Sequence, residues 1–133
     1  MCIYKTHGNP HAHVILRGGK EPNYHATDIK STQEKLNASE INAGIMVDCS
    51  HGNSYKDHTK QINVAQSIAE QVASGEKGIS GVMIESFLKA GNQKVVNGKA
   101  EVYGQSITDA CVDLATGEEM LAILANAVKS SRD

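Results

Sequence analysis

The chain has 133 residues, 40% hydrophobic and 21% charged, with a formal net charge of -2, a globular composition with room for one domain. Its 13 Lys and Arg are scattered, Trp is absent and there is one Phe, which argues against a nucleic-acid surface or a platform for stacked bases. The amino-terminal MCIYKTHGNP has no apolar or basic targeting region, and no apolar run approaches the ~20 residues of a membrane span, so the expected location is cytoplasmic, away from membranes.

The first strand is expected around residues 13–17, where Val14, Ile15 and Leu16 form an apolar run that Gly18 and Gly19 stop. Arg17 then sits at the strand's carboxyl end, the ligand-binding edge of a parallel α/β sheet, where a guanidinium can fork onto a phosphate or carboxylate. The plain alternative is a surface arginine before a turn. A helix with a weak stripe of Ala26, Ile29 and Leu36 follows within residues 23–39. Ile45, Met46 and Val47 make a second strand that ends in Asp48, Ser50 and His51. A helix from about Lys56 to Ser74 comes next, with Ile62, Ala65, Ile68, Ala69 and Val72 on one face.

A third strand runs through Val82, Met83 and Ile84 into Glu85. The connection beyond it is rich in Gly and Asn, and Asn97-Gly98 signals a hairpin with a type I′ turn. The last helix is expected to start near Thr116, in a capping box with Glu119, and to turn Met120, Leu121, Leu124 and Val128 inward. Strand, loop and helix repeated three times predict the α/β class, with parallel βα units.

Parallel strands bring Arg17, His51 and Glu85 to one edge. With Asp109 from SITDAC, His51 and Glu85 offer one imidazole nitrogen and two carboxylates. That set suits a divalent first-row metal such as Mn, Fe, Co or Zn and leaves positions open for a substrate oxygen. Each residue has a plainer reading beside it: a solvated turn histidine for His51, a helix N-cap for Asp109, and any compensating partner for Glu85, whose charge ends a buried strand. His7, His11, His13, His25 and His58 are read as solvated or capping residues. Gly18-Gly19 belongs to neither a phosphate loop nor a dinucleotide fingerprint. The cysteines Cys2, Cys49 and Cys111 are an odd number without CxxC spacing, which suits a reducing compartment. Strand alternation puts Cys49 and His51 on one side and Ser50 on the other, and Cys49 is read as core rather than nucleophile.

HVILRGGKEPNY, MVDCSHGNS, GEKGISGVMIES, GNQ and YGQSITDAC, in this order between about Asn9 and Arg132, resemble the carboxyl-terminal part of the metal-dependent, feedback-regulated type I 3-deoxy-D-arabino-heptulosonate 7-phosphate (DAHP) synthases. The resemblance implies a segment of a (β/α)8 barrel, strands six to eight, with residues 1–133 as one partial domain. It also implies that Arg17 binds phosphoenolpyruvate and that His51, Glu85 and Asp109 are metal ligands. The implied reaction condenses phosphoenolpyruvate with erythrose 4-phosphate, releasing phosphate, at the first step of the shikimate pathway. A complete barrel takes roughly 250 residues. The family's fourth ligand, a cysteine, has no counterpart here, since Cys2 lacks its motif, and the KPRT-, GARTTESQ- and KNGT-type segments are absent from the sequence. Cys49 and Gly52 stand where relatives often have Phe and Ala, an expected change of packing. The chain alone is therefore expected to be catalytically incomplete and, with open sheet edges, homo-oligomeric. The alternative is a non-catalytic module with a weak metal and anion site, or one that only self-assembles.

Overall fold

The apolar runs form a three-stranded parallel sheet in a computed structural model that describes residues 2–132. Its strands are β1 (Val14–Leu16), β2 (Ile45–Asp48) and β3 (Ile79–Met83), in spatial order β1-β2-β3. Val14, Ile15 and Leu16 pair with Ile45, Met46 and Val47, and Asp48 pairs with Met83, so the carboxyl ends of all three strands lie along one edge. Ile45 and Val47 in the central strand are fully buried.

Helix α1 (Ala26–Ala38) follows β1 and buries Ile29 completely, with Leu36 half-buried against the core. His25 precedes it as N-cap, and its backbone N–H donates to Asp28 Oδ2 at 3.1 Å, in line with a capping role. The second helix begins later than the expected start near Lys56, as α2 (Gln61–Ala73). Tyr55 and Lys56 hold positive φ, 54° and 61°, which a right-handed helix excludes. Asp57 then accepts the Thr59 N–H, and a 3-10 turn over His58–Lys60 leads into α2. Val64, Ala65, Ile68 and Ala69 are the buried positions, and Gln61 is buried with them.

Past β3 the long connection holds two short strands, β4 (Lys89–Asn92) and β5 (Gln105–Ser106), paired in parallel. The Asn97-Gly98 turn forms with both residues at positive φ, but the hairpin is one antiparallel bridge between Val96 and Lys99. Ser86 also bridges to Val112 in parallel, a strand-like position that the count of three βα units misses. The last helix, α3 (Leu114–Ser130), starts before Thr116 because Asp113 is its N-cap and accepts the Thr116 N–H at 2.8 Å. That hydrogen bond holds the Asp113 carboxyl below the usual range. α3 packs on α2 and buries Gly117, Met120 and Ala127, whereas Leu121 and Val128 are exposed. Met120 and, in part, Leu124 face the core as their spacing predicts, whereas Leu121 and Val128 turn outward and Gly117 and Ala127 take buried positions on the same face as Met120.

The loops after β1 and β2 touch backbone to backbone. Gly18 adopts φ +72°, and a Cβ there would lie 2.5 Å from Asn53 N; one on Gly52 would lie 2.6 Å from the Gly18 carbonyl carbon. Gly52 N–H donates to Arg17 O, and the buried Asn53 amide donates to both Leu16 O and Asp48 O. These contacts fix the ends of β1 and β2 side by side. Gly18, the first glycine after Arg17, thus serves a close loop crossing.

Candidate metal centre

β2 ends at Asp48, and the chain turns into a 3-10 segment over His51–Ser54, with His51 at φ 42°. Asp48 is 1% exposed and is held by both carboxylate oxygens. Oδ1 accepts the Ser50 N–H at 2.8 Å, and Oδ2 lies 2.7 Å from His51 Nδ1. A carboxylate at Nδ1 favours the tautomer with its hydrogen there, which leaves the Nε2 lone pair free. Nε2 faces Glu85 Oε1 at 3.6 Å and Asp109 Oδ2 at 3.5 Å.

Glu85 lies two residues beyond β3 and is anchored from two sides. Ser50 Oγ donates to its Oε2 at 2.7 Å, and the Gln61 carboxamide pairs with its backbone: Nε2 donates to Glu85 O at 3.1 Å, and Oε1 accepts the Glu85 N–H at 2.9 Å. Asp109 comes from the loop after β5 and caps no helix.

His51, Glu85 and Asp109 each present one ligand atom, all within 4.8 Å of one another. Metal–ligand bonds of about 2.0–2.2 Å place neighbouring ligand atoms about 3–3.5 Å apart, close to the separations seen, which are too long for good direct hydrogen bonds. One nitrogen and two carboxylate oxygens fit a divalent first-row ion. The three line a cavity of about 240 Å³ with Ser50, Lys56 and Asn92. A larger cavity, about 590 Å³, lies at the amino-terminal edge of the sheet beside Gly44 and Gly78 and holds no comparable cluster.

Arg17 stands on the same edge with an exposed side chain, its Nε 4.0 Å from Asp48 Oδ2. Asp48 thus lies between the arginine and His51. Cys49 is fully buried, and desolvation, aided by the Asp48 charge, pushes its thiol up to about 12, which removes it as a nucleophile at neutral pH. Alternation did not decide the face of Ser50: the strand stops at Asp48, the backbone turns, and Ser50 and His51 both meet Glu85. Asp48, Ser50, Lys56 and Gln61 had no assigned role in the sequence reading. Asp48 carried the same signal as Glu85, a charge ending an apolar strand; Gln61 carried none, being a polar residue at the start of an amphipathic helix.

The profile of the DAHP synthetase I family matches residues 2–122. The Trp-sensitive phospho-2-dehydro-3-deoxyheptonate aldolase of Enterobacter agglomerans is 54% identical over 128 residues, which are 96% of this chain and 37% of that protein. The Buchnera aphidicola protein of the same name is 50% identical over 130 residues, again with 37% of its length covered. Among solved structures, the phospho-2-dehydro-3-deoxyheptonate aldolase from Francisella tularensis SCHU S4 superposes with a TM-score of 0.91 at 49% identity, over 99% of this chain and 38% of that one. The chain thus spans a little over a third of the length of these relatives.

Proposed function

The chain belongs to the DAHP synthetase I family, and we propose that it forms the metal-binding edge of an enzyme that condenses phosphoenolpyruvate with erythrose 4-phosphate to DAHP and phosphate, the first step of aromatic biosynthesis by the shikimate route. Residues 1–133 are one partial domain, a carboxyl-terminal portion of a (β/α)8 barrel, working in the cytoplasm. The observation that carries this reading is the convergence of His51, Glu85 and Asp109 on one cavity at the carboxyl edge of a parallel sheet.

In the reaction, C3 of phosphoenolpyruvate bonds to the aldehyde carbon of erythrose 4-phosphate, water adds at C2, and phosphate leaves. His51, Glu85 and Asp109 would hold a divalent ion (Mn, Fe, Co or Zn), which when bound would supply Lewis-acid polarisation of a carbonyl oxygen. Arg17, projecting from the end of β1, forks onto the phosphate of phosphoenolpyruvate. Lys56 adds positive charge to the cavity for the second anionic substrate. The Cys49 thiol, fully buried in the core, takes no part in the chemistry.

The test is a hybrid in which residues 9–132 replace the matching segment of the Enterobacter agglomerans enzyme. Mn-dependent consumption of phosphoenolpyruvate is expected in the hybrid, and the 133-residue chain alone is expected to show none, because the KPRT-, GARTTESQ- and KNGT-type segments occur nowhere in its sequence. A hybrid that folds and binds both substrates but never turns over would overturn the assignment.

A second reading, assembly between copies of the chain, draws on one feature. β1 and β3 each have β2 as their one strand partner among the described residues, and Ile15, Phe87, Leu88 and Leu121 expose apolar side chains nearby or on the adjoining helix. Sedimentation is expected to show a species larger than 14.2 kDa, and a folded monomer at all concentrations would rule assembly out.

A further inference from the structure

Four residues close a ring at the carboxyl edge of the sheet. Asp48 Oδ2 meets His51 Nδ1 at 2.7 Å; His51 Nε2 faces Glu85 Oε1 at 3.6 Å; Glu85 Oε2 accepts the Ser50 hydroxyl at 2.7 Å; and Ser50 N–H returns to Asp48 Oδ1 at 2.8 Å. Two members, His51 and Glu85, are candidate ligands, and the other two, Asp48 and Ser50, stand outside the ligand cluster and bond to those ligands. Asp48 and Ser50 are nevertheless 1% and 4% exposed, and a buried carboxylate with a defined bond on each oxygen is demanding to maintain. A core of apolar residues would cover the strand end at lower cost.

The ring has a directional consequence. Each ligand has two ends that could serve an ion, and in each the non-liganding end is occupied. His51 spends Nδ1 on Asp48, so Nε2 is the nitrogen turned to the cavity. Glu85 spends Oε2 on Ser50, so Oε1 is the oxygen turned to Nε2. Without these bonds the imidazole can rotate about its side-chain torsions and the carboxylate can turn either oxygen inward or swing to solvent, and binding would have to immobilise both.

We propose that Asp48 and Ser50 are positioning residues that aim His51 Nε2 and Glu85 Oε1 at a single divalent cation; this rests on the metal reading given above and adds to it the groups that set the ligands' direction. Outer partners of this kind commonly contribute 10–100-fold in metal affinity. Ser50 is the more informative of the two, because its hydroxyl reaches the opposite ligand across 35 positions of sequence, so its effect cannot be local to the β2 turn.

The experiment is Mn titration of the purified chain followed by electron paramagnetic resonance, with thermal melting of every variant without metal. The wild-type chain is expected to bind Mn, and His51→Ala to lose that binding. Ser50→Ala is expected to weaken affinity about 10–100-fold with little change in melting, Ser50→Thr to restore most of it, and Asp48→Asn to weaken it at least as far. Wild-type affinity in both Ser50→Ala and Asp48→Asn, with His51→Ala inactive in binding, overturns the positioning role and leaves the metal reading intact. A wild-type chain that takes up no Mn overturns both. Ser50→Thr melting like the wild type yet binding as poorly as Ser50→Ala also overturns the proposal, because the hydroxyl is then not the determinant.

Discussion

Replacing Glu85 by alanine is expected to abolish stoichiometric Mn binding, an affinity loss of about 100-fold or more. Structural four-ligand sites bind with roughly 10–16 kcal/mol, so one ligand is worth roughly 3 kcal/mol, or about two decades. Glu85 holds more than an average share, because its Oε1 faces His51 Nε2 while Asp109, the other acidic group, comes from an exposed loop position with a 63% accessible side chain. Without Glu85, an ion would be left with one imidazole and one mobile carboxylate. Glu85→Gln is the sharper control: it keeps the size and an oxygen for Ser50 but removes the negative charge. Mn titration followed by electron paramagnetic resonance separates the cases, and unchanged binding in both variants would sink the metal assignment.

The second large effect is expected at a residue with no chemistry of its own. Gln61→Ala should destabilise the fold by ~2–4 kcal/mol and weaken metal binding as well. Gln61 is fully buried at the start of α2, and its carboxamide takes the place of a neighbouring strand for the backbone of Glu85, donating to the carbonyl and accepting the N–H. Truncation leaves that N–H buried without its partner and a void beside it. The carbonyl fares better, since it also accepts the Val112 N–H at 2.9 Å. Urea denaturation measures the stability change, and Gln61→Leu, which fills the space without the bonds, separates packing from hydrogen bonding. A loss below about 0.5 kcal/mol, as for an ordinary surface position, would mean that the clamp contributes nothing.

Gln61 and Glu85 also mark the limit of what a linear reading can reach. The three strands were legible because each is an apolar run stopped by glycine or charge, and burial of such runs depends little on context. The candidate ligands were legible for a related reason: His51 and Glu85 follow those runs, and parallel strands must deliver their carboxyl ends to one edge. Helix starts were less legible. The apolar stripe from Ile62 onward marks the body of α2 but not its start, because the positive φ of Tyr55 and Lys56 cannot be read from it, and Asp113 outcompetes Thr116 as the cap of α3 by a local hydrogen bond.

By itself the sequence determined the α/β class, the positions of the three strands of the main sheet, the three ligand candidates and, through five collinear motifs, the resemblance to the family. Tertiary structure alone decided which atoms of those residues face one another. It turned Ser50 toward Glu85, set Asp48 behind His51, joined Gln61 to a backbone 24 positions away and left Leu121 of α3 exposed. The physical reason is range: hydrophobic periodicity is a property of neighbouring residues, whereas a hydrogen bond between residues 24 to 35 positions apart exists only once strand register has brought its two ends together.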